Sequence, residues 1–154
     1  MKKKIWIPVL IALLLLSRVE HTGVDVGELE PVELVQLSKE EAGLCVETDT
    51  GARGYGQNLE TAIENLYESS SAAVFLDTAE YLVLTGQTEE YLPQLYEILR
   101  PACRVCVTDG KVDLTQTVKF LGAHPPQVKL LQCRAGVAEL PTLYFQKGRG
   151  QIVQ

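Results

Sequence analysis

Gly56-Gln-Asn-Leu-Glu-Thr-Ala-Ile-Glu-Asn-Leu-Tyr67, a serine break at Ser69-Ser-Ser71, then Ala73-Val-Phe-Leu76 and Tyr81-Leu-Val-Leu-Thr-Gly86 decide the reading of this chain. Asn58 suits an N-cap, because its side-chain oxygen can accept a free N–H of the first helical turn. Leu59, Ala62, Ile63, Leu66 and Tyr67 then recur at i, i+3, i+4, i+7 and i+8, the apolar stripe of a helix. Tyr67 lies on that stripe and is expected in the core, while Glu60 and Glu64 face away. The runs 72–76 and 81–84 are rich in strand formers. A capped amphipathic helix beside apolar strands needs a sheet to lie against, and the flanking sequence supplies one.

Upstream, Pro31 to Leu37 alternates loosely with period two and reads as a strand. Ser38 to Gly43 is a polar turn, and Leu44 to Thr48 is a second strand, so the two predict a hairpin. Asp49 to Gly56 reads as a glycine-rich loop with Arg53 at its surface. Its order G-x-x-G-x-G lies between strand and helix, but it has neither the G-x-G-x-x-G spacing nor the Gly-Lys-Ser/Thr of a phosphate loop. A plain turn is the better reading.

Downstream, Thr88 is placed to cap a short turn through Tyr91, and Pro93 suits the first position of a helix over 94–99. Pro101 stops that helix. Cys103 to Thr108 is a strand ended by Asp109-Gly110. Asp113 caps a helix over 114–121, which Gly122 and Pro125-Pro126 end. Residues 128–133 read as a further short helix. Residues 141–145 and 151–153 read as late strands around the basic turn Lys147 to Gly150. The sum is an α+β fold, a mixed β-sheet packed with three to four helices, in a single domain over 31–154.

The 154 residues, 46% hydrophobic and 22% charged, suit one globular domain. Net charge is -6, and without Lys2, Lys3 and Lys4 the balance is 11 cations against 20 anions, or -9. A body this acidic repels phosphate, which argues against nucleic acid and anionic lipid as partners. Met1 to Lys4 forms a basic n-region, and Ile5 to Leu16 is an apolar run broken only by Pro8. At about 1.5 Å per residue that run reaches roughly 18 Å, short of the ~30 Å hydrocarbon layer. Residues 1–18 therefore read as a signal peptide or signal anchor. Ser17-Arg18-Val19 lacks the small residue that precedes a cut, so retention through residues 5–16 is expected, with membrane contact there if the segment stays uncleaved. Residues 19–30, acidic and without apolar period, read as a spacer. The chain is expected to be exported to the outer face of the cell membrane.

Cys45, Cys103, Cys106 and Cys133 follow the export segment, and outside the cytoplasm disulfides can persist. Cys103 and Cys106 form a C-x-x-C, but inside a strand. Thiol-redox sites hold that motif at a helix N-terminus, and residues i and i+3 of a strand point to opposite faces. Zinc would need Cys45, Cys133 or a histidine from elsewhere. The four read as buried free thiols, or as one bridge from Cys103 or Cys106 to Cys45 or Cys133, the pairing left open. His21 and His124 neighbour no nucleophile elbow. The pairs Glu40-Glu41 and Glu89-Glu90 sit in turns and helix starts, where structure alone accounts for them. No catalytic, cofactor or metal residue is singled out, and no enzyme activity is expected.

The order of these motifs resembles the N-terminal domain of the C subunit of spore germinant receptors, the Ger(x)C family. The residues that carry it are Gly56 to Leu66 with its central alanine, Val74-Phe-Leu76 with Tyr81 to Gly86, Tyr96-Glu-Ile-Leu-Arg100, and Cys103 to Val107. The likeness covers roughly residues 30–122. Family members carry a lipobox cysteine and two further domains; this sequence has no cysteine before Cys45 and is similar to the first domain alone. The resemblance implies a non-enzymatic role in spore germination or sporulation, as an accessory to a membrane receptor complex through contact with other membrane or extracytoplasmic proteins. The alternatives are an extracytoplasmic small-ligand-binding protein, which a deep pocket would favour, and a thiol-redox or metal enzyme, which an exposed cysteine cluster would favour.

Overall fold

Seven strands form one mixed sheet with helices on both faces. The computed structural model describes residues 29–85, 87–134, 139–146 and 149–153. The predicted export segment 1–18, most of the predicted spacer, His21, Gly86, Lys147 and Gly148 lie outside the described residues.

Strands β2 (Leu34–Glu40) and β3 (Gly43–Thr48) form the predicted hairpin, with Leu37 opposite Val46 and Ser38 opposite Cys45. The turn is shorter than predicted, because β2 runs on to Glu40. Gly43 closes it at φ +126°, a conformation that glycine alone adopts without strain. Ahead of β2, the short β1 (Leu29–Pro31) begins inside the predicted spacer and pairs in parallel with β5 (Ala73–Phe75), apart from the main sheet.

The predicted glycine-rich loop is to some extent a strand, β4 (Arg53–Gly56), antiparallel to β3. The glycines signalled a turn, but packing is their reason. A Cβ on Gly54 would collide with the Ala62 carbonyl and Leu66, and one on Gly56 with Thr61. Helix α1 (Leu59–Ser69) lies directly on this backbone. Asn58 caps α1, its Oδ1 accepting from the Thr61 N–H at 2.9 Å, while Thr61 Oγ1 reaches back to the Asn58 N–H at 3.4 Å. Leu59, Ala62, Ile63 and Leu66 are buried in one core with Val74 and Leu82, as the periodicity requires. Tyr67 corrects the reading: it is 46% exposed. At roughly 100° per residue it stands about 80° round from Leu59, at the margin of the stripe and near Glu60.

After β5, a 3₁₀ turn (Leu76–Thr78) leads to β6 (Tyr81–Thr85), parallel to β2 and buried along its whole length. A second 3₁₀ turn (Glu89–Tyr91) runs into α2 (Leu92–Leu95), with Pro93 in its first turn. Thr88 does not cap it; its hydroxyl instead donates to the Leu37 carbonyl of β2 at 3.4 Å. Strand β7 (Arg104–Thr108) pairs in parallel with β6. Helix α3 (Leu114–Ala123) has Asp113 as N-cap, with Oδ1 accepting from the Gln116 N–H at 2.8 Å. Helix α4 (Leu130–Arg134), strand β8 (Thr142–Gln146) parallel to β7, and strand β9 (Arg149–Val153) antiparallel to β8 complete the fold. The strand order is β4-β3-β2-β6-β7-β8-β9.

One core lies between the sheet and α1, α2 and α4, with Val35, Leu37, Val46, Leu82, Leu84 and Val105 facing Leu59, Leu66, Leu95 and Leu130. The other lies under α3, where Leu34, Tyr81, Val83, Cys106 and Leu143 meet Leu114 and Leu121. Strands with apolar residues on both faces are what a parallel sheet covered on both sides demands. Each fully buried leucine contributes about 1.5–3 kcal/mol.

Candidate functional site

A groove runs between α1 and the turns that continue α2. Its volume is 430 Å³, and Leu59, Ile63, Tyr67 and Ile98 make its floor and walls. Glu60 and Glu64 from α1 rim it on one side, and Gln94 and Glu97 from the α2 side on the other. The capping box fixes the start of α1, and the glycine contacts with β4 fix its height above the sheet. None of the three glutamates has an ion-pair partner among the described residues. The periodicity of α1 puts Glu60 and Glu64 on its solvent side, and both are exposed. The groove could not be seen without the position of Glu97 and Ile98, which only the β6–α2–β7 crossover supplies.

Two smaller clefts lie at the carboxyl ends of the parallel strands, where α/β sheets commonly hold ligands. One, of 290 Å³, is formed by Leu84, Thr88, Glu89, Val107, Thr108, Asp109 and Tyr144, among others. The second, of 280 Å³, brings Ser38, Lys39, Glu40, Thr85, Asp109, Gly110 and Lys111 together.

Beyond α3, toward β4, the same sheet face carries charge. Register sets Glu47 opposite Arg53, and the two pair. Lys111, from the loop after β7, places Nζ 2.5 Å from Glu40 Oε1 and 3.6 Å from Glu47 Oε2. The Lys111 hydrogen bond holds the Glu40 carboxyl below the usual carboxylate range, and the same contact raises Lys111. Gln36 lies inward of this network, 1% exposed, and neither amide atom has a hydrogen-bond partner among the described residues.

The four cysteines are free thiols at separate places. Cys103 joins the core under α1, α2 and α4, whereas Cys106 joins the core under α3. Cys45 is buried opposite Tyr55. Cys133, half-buried on α4, donates to the Lys129 carbonyl at 3.5 Å. Burial pushes the Cys103 and Cys106 thiols up to about 12, and raises Cys45 and Cys133 as well. Thiols in that state carry little thiolate, the form that attacks or ligates. His124 is exposed and stacks on Phe120 at 4.9 Å between ring centres. Among the described residues no group of three or more His, Cys, Asp or Glu could hold a metal ion.

No family model, curated protein or solved structure matches the chain. Among the clefts described above, the α1–α2 groove exposes the most apolar lining, and its three glutamates have no ion-pair partner among the described residues. Among the described residues no helix is long and apolar enough to cross a membrane.

Proposed function

We propose that this chain is a non-enzymatic interaction domain on the outer face of the cell membrane, held there by residues 1–18. The observation that carries the reading is the α1–α2 groove, an apolar floor open to solvent between helix α1 and the turns that follow α2. Exposed apolar grooves rimmed by polar residues mark protein-binding surfaces. The Ger(x)C-like order of motifs supports a setting in spore germination or sporulation, with other membrane or extracytoplasmic proteins as partners. A spacer near the bilayer raises the effective concentration of the domain beside such partners. Deletion of the gene is expected to lower spore yield or germination rate, and cross-linking in sporulating cells to join the domain to a membrane protein. Normal sporulation and germination with no cross-linked partner would refute the proposal.

The 290 Å³ cleft favours a second reading, capture of a small polar ligand by Thr88, Thr108 and Asp109 beside the Tyr144 ring. Ligand-induced thermal stabilisation that Thr108→Val removes would favour it.

A further inference from the structure

We infer that the α1–α2 groove takes a basic amphipathic helix of a partner protein. The inference rests on the interaction reading above and names the chemistry of the partner. Three features lead to it. The floor made by Leu59, Ile63 and Ile98 is apolar and lies between helix α1 and the turns that follow α2, a trough that can receive the apolar face of a helix. The rim is acidic on both sides, Glu60 and Glu64 on one and Glu97 on the other, so cations flanking an apolar stripe find partners on either side. Finally, helix stability does not explain the acids. Glu60 in the first turn of α1 suits the helix dipole, but Glu64 follows it at i+4 and Glu68 follows at i+8, a like-charge series with no basic residue in the helix. Such a series disfavours the isolated helix and is offset when cations arrive from outside.

The 11 residues of α1 span about 16 Å, so a partner helix of about three turns matches it. That helix carries apolar residues at i, i+3 or i+4 and i+7, with Lys or Arg on both borders of the stripe. The same rim repels anionic lipid.

The test uses the full chain and a fluorescent 14-residue helical peptide of leucine and lysine in that pattern, read by anisotropy. Its leucine–glutamate counterpart should not bind. The reversal Glu60→Lys/Glu64→Lys/Glu97→Lys should weaken binding at least about tenfold, since each exposed pair is modest. Neutralisation by Glu60→Gln/Glu64→Gln/Glu97→Gln should weaken it less. The control reversal Glu33→Lys/Glu41→Lys/Glu139→Lys alters net charge equally at exposed sites elsewhere and should leave most of the binding. Equal loss in the control would reduce the effect to net charge and overturn the inference. Self-association that the groove reversal abolishes would put a second copy in the groove, and would overturn it too. A photo-cross-linker at Tyr67 in cells separates the two claims: capture of a partner through a segment that is not basic sinks this inference and leaves the interaction reading standing.

Discussion

Gly54 and Gly122 are the same residue under opposite physics. Gly54 has helix α1 where its Cβ would be, whereas nothing lies within 4 Å of the Cβ position at Gly122 in α3. Gly54→Ala must lift α1 off β4, and unfolding by urea should register a loss of several kcal/mol, in the upper range for overpacking. Gly122→Ala should instead gain up to about 1 kcal/mol, by restricting the unfolded chain and favouring helix. Equal effects at the two sites would mean that α1 does not rest on the strand. Gln36 poses a different question. A buried amide without partners costs about 1–3 kcal/mol. Gln36→Met keeps the length and removes the polar atoms, so it should raise the unfolding midpoint; a lowered midpoint would show that the amide is satisfied in solution.

Elements were legible in the sequence where local signals agreed with tertiary need. The Asn58 cap and the stripe from Leu59 to Leu66 specify α1 without reference to anything else. Strand β4 was not legible, because three glycines in six residues read as turn chemistry while their actual constraint is a helix passing overhead. Tyr67 was misplaced for a related reason: a stripe says which residues face inward, but the width of the covering layer decides where burial stops. The groove needed two elements distant in sequence, so neither half announced it. The Lys111 loop, likewise, has no pattern that ties it to β2 and β3, yet it bridges Glu40 and Glu47. Because Lys111 lowers the Glu40 carboxyl, that contact stabilises the fold above about pH 4.3 and fades as pH falls through the lowered value. Lys111→Met should be less stable than the parent at pH 7, with the gap narrowing toward pH 3 in denaturation series. A gap that stays constant with pH would show that the lysine acts by packing its stem.

For the molecule as a whole, the two cores respond together to alkali. Native Cys103 and Cys106 stay protonated to about pH 12, while the unfolded thiols ionise near 8.5. Between those values the unfolded state holds fewer protons, so stability is complete below about pH 8.5 and declines as pH rises. The decline is about 1.4 kcal/mol per pH unit for each buried thiol. Under reductant, Cys106→Ala should show a shallower decline than the parent between pH 9 and 10.5. Identical slopes would assign the loss to other groups. The placement of these two thiols on opposite faces also makes a bridge between them inaccessible without breaking β7, and peptide mapping under oxidation should find none.

The strand order β4-β3-β2-β6-β7-β8-β9 has a consequence for biogenesis. Strand β3 adds beside β2 and β4 beside β3; then β6 adds on the free side of β2, and β7, β8 and β9 follow outward in turn. No late strand has to wedge itself between strands already joined. A nascent chain delivered N-terminus first, from a ribosome or through a translocation pore, can therefore extend its sheet at a free margin with each new segment, and from β6 onward the margin left waiting is always the most recently arrived strand.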